Sequence, residues 1–270
     1  MTNDKIQTLV ARGALFVANH SGGKDSQAML IRLLEQVPAA QIVVVHASLG
    51  EIEWHGALEL AQQQALDAGL PFIVARALRH DGTVKSFLDM VEHRFATRPE
   101  VPSFPSSAQR QCTSDLKRGP ITRETLAYAK AHGFKLIVNC EGIRAAESTA
   151  RSKLVAFKQL TGSHALAKAG REAYEWLPIF TLQTLDVWCV IRGAGQMPHA
   201  AYSQGNERLS CVFCIMGSAN DIANGAKARP DLFAKYVELE NRTGYTMHMN
   251  RKSLTEIVAE VEADALALAA

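Results

Sequence analysis

Apolar positions in the first half of the chain alternate between two patterns. Ala14 to Asn19, Ile42 to His46 and Phe72 to Ala75 are short, nearly continuous apolar runs of the kind that form strands buried on both faces. Between them, the stretch from Gly22-Gly23 to Glu35 and the stretch from Trp54 to Ala68, with Leu58, Leu60, Ala61 and Leu66, carry the mixed spacing of helices. Alternation of this kind predicts a parallel sheet with helices on both faces. A fourth strand is expected at Lys135 to Asn139 and a fifth within Tyr174 to Phe180, with Pro120 in the first turn of a helix that runs to about His132. Val84 to Phe95 is weakly helical, and Pro99, Pro102 and Pro105 among serines then predict a mobile loop up to Arg110. Beyond Phe180 the pattern loosens into a short helix around Asp186 to Ile191, a Gly/Pro-rich stretch, a cysteine pair, and helices near Pro230 to Asn241 and Ser253 to Leu268. The expected architecture is α/β: a doubly wound, mostly parallel five-stranded sheet over residues 1–180 and a helical region over 181–270 that holds the cysteine pair.

Composition agrees with a globular chain. Of 270 residues 47% are apolar and 21% charged, which excludes disorder and fibrous repeats. Asp4, Lys5 and Arg12 interrupt the first thirty residues, and no eighteen uncharged apolar residues follow one another, so neither a signal peptide nor a membrane span is expected and the cytoplasm is the expected compartment. The net charge of +2 hides an asymmetry: between Arg110 and Arg171 twelve Lys or Arg face four acids. A basic middle suits a polyanion, either nucleotide phosphates or a nucleic-acid backbone, or else it is a solvated positive face. Five cysteines, an odd number in a chain without a small secreted framework, favour free thiols or metal ligands over disulfides.

Ser21-Gly22-Gly23-Lys24-Asp25-Ser26 follows the first expected strand and opens the first expected helix, where backbone amides and the helix dipole form an anion cradle. The segment is not a Walker A loop: Asp25 follows Gly23-Lys24 where Ser or Thr is required, and Ala18 stands where the earlier glycine belongs.

This Ser-Gly-Gly-x-Asp-Ser segment resembles the signature of the PP-loop ATP pyrophosphatases, whose loop holds the pyrophosphate of ATP while a nucleophile attacks the α-phosphorus. The resemblance implies an adenine nucleotide alpha hydrolase-like fold. Arg110-Gln111-Cys112-Thr113 with Lys117 and Pro120, Gly142-Ile143-Arg144 followed by Glu147-Ser148 and Arg151, Leu177-Pro178-Ile179, and Asp186-Val187-Trp188 extend it to the phosphoadenosine phosphosulfate (PAPS) reductase-like branch over about residues 14 to 217. It implies Lys24, Asp25 and Arg144 as catalytic residues, with Ser21, Gly22, Gly23, Ser26, His46, Ser48, Gly142 and Arg151 binding ATP and Mg2+. His46 and Ser48 stand where the branch often carries an acidic residue near the nucleoside.

Cys211-Val212-Phe213-Cys214 has the spacing of a metal or cluster site, with Cys112 far upstream. The layout resembles adenylylsulfate reductases, where a Cys-Cys pair and a later C-x-x-C ligate a 4Fe-4S cluster, but Gln111 replaces the first cysteine of the pair. The resemblance thus implies a cluster on Cys112, Cys211 and Cys214 with one open iron. Zinc with His199 or Cys140 as fourth ligand, or a redox disulfide between Cys211 and Cys214, stays open. Cys189, inside apolar Val187 to Ile191, and Cys140, at the end of a strand, read as small core residues, and Trp54, Trp176 and Trp188 as core or substrate-wall residues.

Phosphosulfate reductases of this branch carry a catalytic cysteine in a C-terminal tail, whereas no cysteine follows Cys214 here. The function this implies is an ATP pyrophosphatase that adenylylates an acceptor for sulfur incorporation, DNA phosphorothioation of the Dnd and Ssp type being the leading case. The partners implied are a cysteine desulfurase as sulfur donor and a nucleic acid, DNA ahead of tRNA, with a homodimer allowed for. The alternatives are an adenylylated-sulfate reductase, a tRNA thiolation enzyme and a non-catalytic ATP-binding scaffold.

Overall fold

The computed structural model describes residues 2–269. The chain folds into two compact units drawn from alternating segments: Met1–Ala47, Gly56–Ala75 and Gly119–His199 make the first, and Ser48–His55, Arg76–Arg118 and Ala200–Ala270 the second. In chain order the helices are α1 (Thr2–Ala11), α2 (Lys24–Leu34), α3 (Ala57–Asp67), α4 (Phe87–Thr97), the short α5 (Gln111–Thr113), α6 (Gly119–Ala131), α7 (Thr149–Ser152), α8 (Thr184–Gly193), α9 (Ala219–Ala228), α10 (Pro230–Thr243) and α11 (Leu254–Ala269). The strands are β1 (Leu15–Asn19), β2 (Ile42–Ser48), β3 (Phe72–Arg76), β4 (Leu136–Glu141), β5 (Phe157–Gln159) and β6 (Glu172–Trp176).

The strands form one sheet in the order β3-β2-β1-β4-β6-β5, with β1 parallel to β2 and β4, and β4 parallel to β6. The expected mostly parallel α/β sheet is therefore present, with six strands instead of five. The additional strand, β5, runs antiparallel to β6 at the edge. Phe-Lys-Gln is too short and polar to stand out as a strand, and it becomes one because β6 offers it a ladder. The fifth expected strand ends at Trp176, since Pro178 has no N–H to continue the pairing.

Side chains alternate across the sheet. Phe16 and Ala18 of β1, Ile42 and Val44 of β2, and Val138 of β4 pack on one face with Leu30 and Leu33 of α2 and Val187 and Ile191 of α8. Leu15, Val17, Val43, Val45 and Ile137 pack on the other with Ala129 of α6. Burial on both faces explains why the strands read as continuous apolar runs. Cys140 lies in this core, as expected, but Cys189 is exposed, which corrects the expectation of a core residue. Val187 and Ile191 turn inward at i and i+4, which leaves position 189 on the opposite side of α8. Trp54 and Trp176 are buried.

In the second unit α9, α10 and α11 pack on one another. The weak helix expected from Val84 is α4, started by a capping box in which Ser86 Oγ accepts from Asp89 N and Asp89 returns a carboxylate to Ser86 N. The proline-rich stretch after it has no regular structure, yet Phe104 is 5% exposed and anchors it. Phe87 stacks on Tyr236 at 5.9 Å between ring centroids, and Phe213 meets Tyr236 at 5.2 Å. Among the described residues no helix is long and apolar enough to cross a membrane.

Candidate active site

The strand order reverses between β1 and β4, and in open α/β sheets that crevice at the carboxyl ends is where ligands bind. The loop after β1 and the segment after β4 both lie there. Gly22 has φ +74°, and a Cβ on it would stand 2.3 Å from the carbonyl oxygen of Ala57, so both the turn and the closeness of α3 require glycine. Gly142 is required for a different reason: a Cβ would stand 2.8 Å from the Asp25 carbonyl oxygen, which brings the chain after β4 directly against the start of α2. Gly23 occupies the N-cap of α2 without a side chain to cap it, so the helix presents its positive end.

Three charges gather at that end. Arg144 Nε donates to Asp25 Oδ1 at 2.7 Å, and Lys24 Nζ lies 3.3 Å from Asp25 Oδ2. Arg144 also reaches the Leu182 carbonyl and Thr184 Oγ1. Lys24 lies under the Trp188 ring, 5.9 Å from its centroid, which makes Trp188 a wall of the site through a cation–π contact. Two cations, 3% and 4% exposed, thus share one carboxylate. Both oxygens of Asp25 are held by cations of the protein, so as arranged it does not fit the role of a Mg2+ ligand.

The loop is held from below by a buried polar network. Gly22 N donates to His20 Nδ1 at 3.0 Å, so the proton of His20 sits on Nε2 and is donated to Gln64 Oε1 at 2.5 Å. Gln64 Nε2 donates in turn to the Gln27 carbonyl and to Gln196 Oε1, which also accepts from Gln27 Nε2. Burial lowers the pKa of His20 to about 4, which keeps the ring neutral. His46 Nδ1 donates to the His20 carbonyl at 2.9 Å. At 1% exposure His46 braces the end of β1. Ser26 Oγ donates to the Gly23 carbonyl and accepts from Ser21 N.

Of the expected residues, Ser21, Gly22, Gly23, Lys24, Asp25, Ser26, Gly142 and Arg144 come together in the first unit. Arg151 pairs with Glu147, whose carboxylate also accepts from Arg144 N. Ser48 belongs to the second unit. The residues that sequence reasoning missed are His20, Gln27, Gln64 and Gln196. Only His20 had a signal, its place directly before the loop.

The three expected cysteines all belong to the second unit, and each of them acts on Lys117. After α5, Ser114–Arg118 form a π-helical turn, and that turn carries Lys117. Cys211 pairs with Glu53 in an antiparallel bridge, Val212 N donates to the Ile52 carbonyl at 2.9 Å, and Arg229 Nη1 donates to the carbonyls of Glu51 and Glu53. A Cβ on Gly225 would stand 2.9 Å from Val212 Cγ1, so α9 holds the cysteine turn closely. Cys211, followed by Cys214, Cys112 and Glu53, raises the pKa of the Lys117 ammonium against its burial. Burial pushes the Cys211 thiol up to about 12, with Lys117 opposing and Cys214, Cys112 and Glu53 adding to it. Burial first, then Cys211, Cys214, Glu51 and Cys112, push the Tyr236 hydroxyl well above its ordinary value, and that hydroxyl is buried without a hydrogen-bond partner.

Three thiols, an ammonium and an orphaned hydroxyl in one environment fit the donor chemistry of a sulfur-rich group. Among the described residues no three His, Cys, Asp or Glu side chains stand together as a ready metal site, so the thiols must draw closer to hold one. His199 and Cys140, the fourth ligands weighed for zinc, both belong to the first unit.

The curated protein MJ0973 of Methanocaldococcus jannaschii is 23% identical over 225 residues, which cover 83% of this chain and 47% of that protein, so the chain spans about half the length of this relative. Among solved structures, the phosphoadenylyl-sulfate reductase of Candida auris in its phosphate complex is similar at a TM-score of 0.48 and 10% identity, over 77% of this chain and 87% of that one. The U34-tRNA thiolase NcsA of Methanococcus maripaludis, solved with its [4Fe-4S] cluster, is similar at a TM-score of 0.40 and 14% identity, over 97% and 77%. The family model of the phosphoadenosine phosphosulfate reductase domain matches residues 16–216, from β1 to just past the cysteine pair, and the chain belongs to that family.

Proposed function

We propose that the protein is an ATP pyrophosphatase, cleaving ATP to AMP and pyrophosphate and adenylylating an acceptor for sulfur incorporation, with DNA phosphorothioate modification as the leading case. The observation that carries the reading is the pair of buried cations, Lys24 and Arg144, sharing Asp25 at the uncapped start of α2. Two positive charges and one negative leave an excess that a pyrophosphate group would meet, beneath a glycine loop close enough to offer backbone amides.

In this reading an acceptor oxygen attacks the α-phosphorus and pyrophosphate leaves. Lys24 and the loop amides hold the charge that builds on pyrophosphate, while Arg144, fixed by Asp25, keeps its guanidinium in place for the same anion. The neutral His20 fixes the Gly22 amide by accepting from it, so the cradle is formed before nucleotide arrives. The adenylylated acceptor then loses AMP to sulfide-level sulfur, which a thiol reductant releases from the persulfide of a cysteine desulfurase. Cys112, Cys211 and Cys214 would hold a 4Fe-4S cluster, which supplies, when bound, an iron without a protein ligand that can carry sulfur.

Family membership favours one other reading, reduction of phosphoadenylyl sulfate. Anaerobic incubation with labelled ATP, with and without duplex DNA or tRNA, separates them: AMP and pyrophosphate are expected, formed faster with the acceptor, and Lys24→Ala should abolish them with the fold intact. Sulfite release from phosphoadenylyl sulfate, with ATP surviving in every mixture, would establish the reductase instead.

A further inference from the structure

We infer that an arginine-lined cleft in the second unit binds the phosphate backbone of a nucleic acid. The inference deepens the proposed function, because it rests on the acceptor being a nucleic acid. The cleft has a volume of about 820 Å³ and lies between the C-terminal half of α4 with the chain after it and the turn that leads through α5 into the π-helical segment. Arg94, Arg98, Arg110 and Arg118 line it together with Gln111 and Ser114, and among the described residues its lining contains no carboxylate and no aromatic ring.

Four guanidinium groups around one cavity repel one another unless anions enter. Only weak compensation is built in. Arg98, 65% exposed, lies 3.5 Å from Glu100, an exposed pair of little energetic weight. Arg94 Nη1 donates to Gln111 Oε1 at 2.9 Å, but its Nε is buried with no acceptor at all. Among the described residues Arg110 and Arg118 have no carboxylate partner. Guanidinium forks match phosphate oxygens in pairs. The volume far exceeds one phosphate, and the absence of a ring on which a base could stack favours contact with a sugar–phosphate backbone over recognition of a lone nucleotide. Cys112 follows Gln111 directly, so the same short turn carries a cleft residue and a cysteine of the candidate cluster site.

Binding of fluorescent duplex DNA and of tRNA to the full-length protein, measured without ATP over a salt series, tests this. Tight, salt-sensitive binding is expected for one or both. The double variant Arg98→Gln, Arg118→Gln should weaken it at least about 10-fold at low salt and flatten the slope of log K against log salt by roughly 0.9 for each duplex phosphate that is no longer neutralised. Arg98→Lys with Arg118→Lys should keep most of the slope. Both arginines are exposed, so an unchanged thermal midpoint is expected to accompany the weaker binding. A double glutamine variant with wild-type affinity and slope would overturn the site. So would wild-type protein that binds neither nucleic acid, or that binds a phosphopeptide of equal charge as tightly. AMP formation from ATP, measured on the same wild-type preparation, shows separately whether the nucleotide-activation reading falls as well.

Discussion

Arg144 and Asp25, 119 residues apart in sequence, are joined by a 2.7 Å hydrogen bond from Nε to Oδ1 that ties the chain after β4 to the first turn of α2. The bond has two consequences. It sets the guanidinium plane, and it places a carboxylate where an anionic ligand would otherwise be the sole counter-charge of Lys24 and Arg144.

Asp25→Asn should therefore weaken the empty fold while strengthening its affinity for anions. Loss of a carboxylate from between two buried cations costs about 2–4 kcal/mol, less than for a fully buried pair because Asp25 keeps 21% of its side-chain exposure. Thermal unfolding with and without millimolar pyrophosphate checks this: the variant should melt lower alone and gain more from pyrophosphate than the wild type does. Equal melting points, and equal gains, would remove the carboxylate from this role.

Gly22→Ala should cost about 2–4 kcal/mol, since an alanine at φ +74° is strained and its Cβ meets backbone that no side-chain rotation can move. Chemical denaturation measures the loss, and nucleotide binding by calorimetry should vanish with it. A variant of wild-type stability would show that α3 does not press on the loop.

His20 gives the stability a pH dependence of known sign. Its folded pKa, about 4, lies below the ordinary value of 6.5. Above 6.5 the ring is neutral in both states and its contribution is complete. As pH falls from 6.5 towards 4 the unfolded chain takes up a proton that the folded chain refuses, and roughly 3 kcal/mol is lost across that window. Urea unfolding at pH 7, 5.5 and 4.5 should show the decline in the wild type and a shallower one in His20→Gln. Parallel profiles would place the pH dependence elsewhere.

Tyr236→Phe removes a buried hydroxyl that has no partner, so in protein prepared without a cluster it should raise stability by about 1 kcal/mol. After anaerobic reconstitution the same change should lower iron retention if that hydroxyl donates to the sulfur-bound group. A destabilised cluster-free variant would mean that the hydroxyl is already satisfied.

The parallel sheet and the phosphate loop were legible because one physical cause writes each of them. Strands buried on both faces must be apolar throughout, and Ser21 to Ser26 follows one of them directly. β5 was not legible, since its pairing is set by β6 and not by its own three residues. The three cysteines could be named from spacing and resemblance. Tyr236, Glu53 and Arg229 could not, because nothing local in sequence distinguishes them from other residues on a helix or beside a strand. Gln64 and Gln196 were invisible for the same reason: their amides matter only through His20, far away in the chain. Cys189 was misplaced because an apolar segment read as a block has only one inward face once it coils.

The chain crosses between its two units five times, after Ala47, His55, Ala75, Arg118 and His199. Neither unit is therefore a contiguous stretch that a protease or a gene truncation could release whole. The order of synthesis follows from this. Every segment of the unit with the phosphate loop has been translated by His199, whereas Cys112 and Lys117 emerge early and wait for Cys211, Cys214 and Tyr236. On the ribosome the thiol Cys112 thus waits without its partners until residues 211–236 arrive, which leaves it open to oxidation or stray metal during biogenesis.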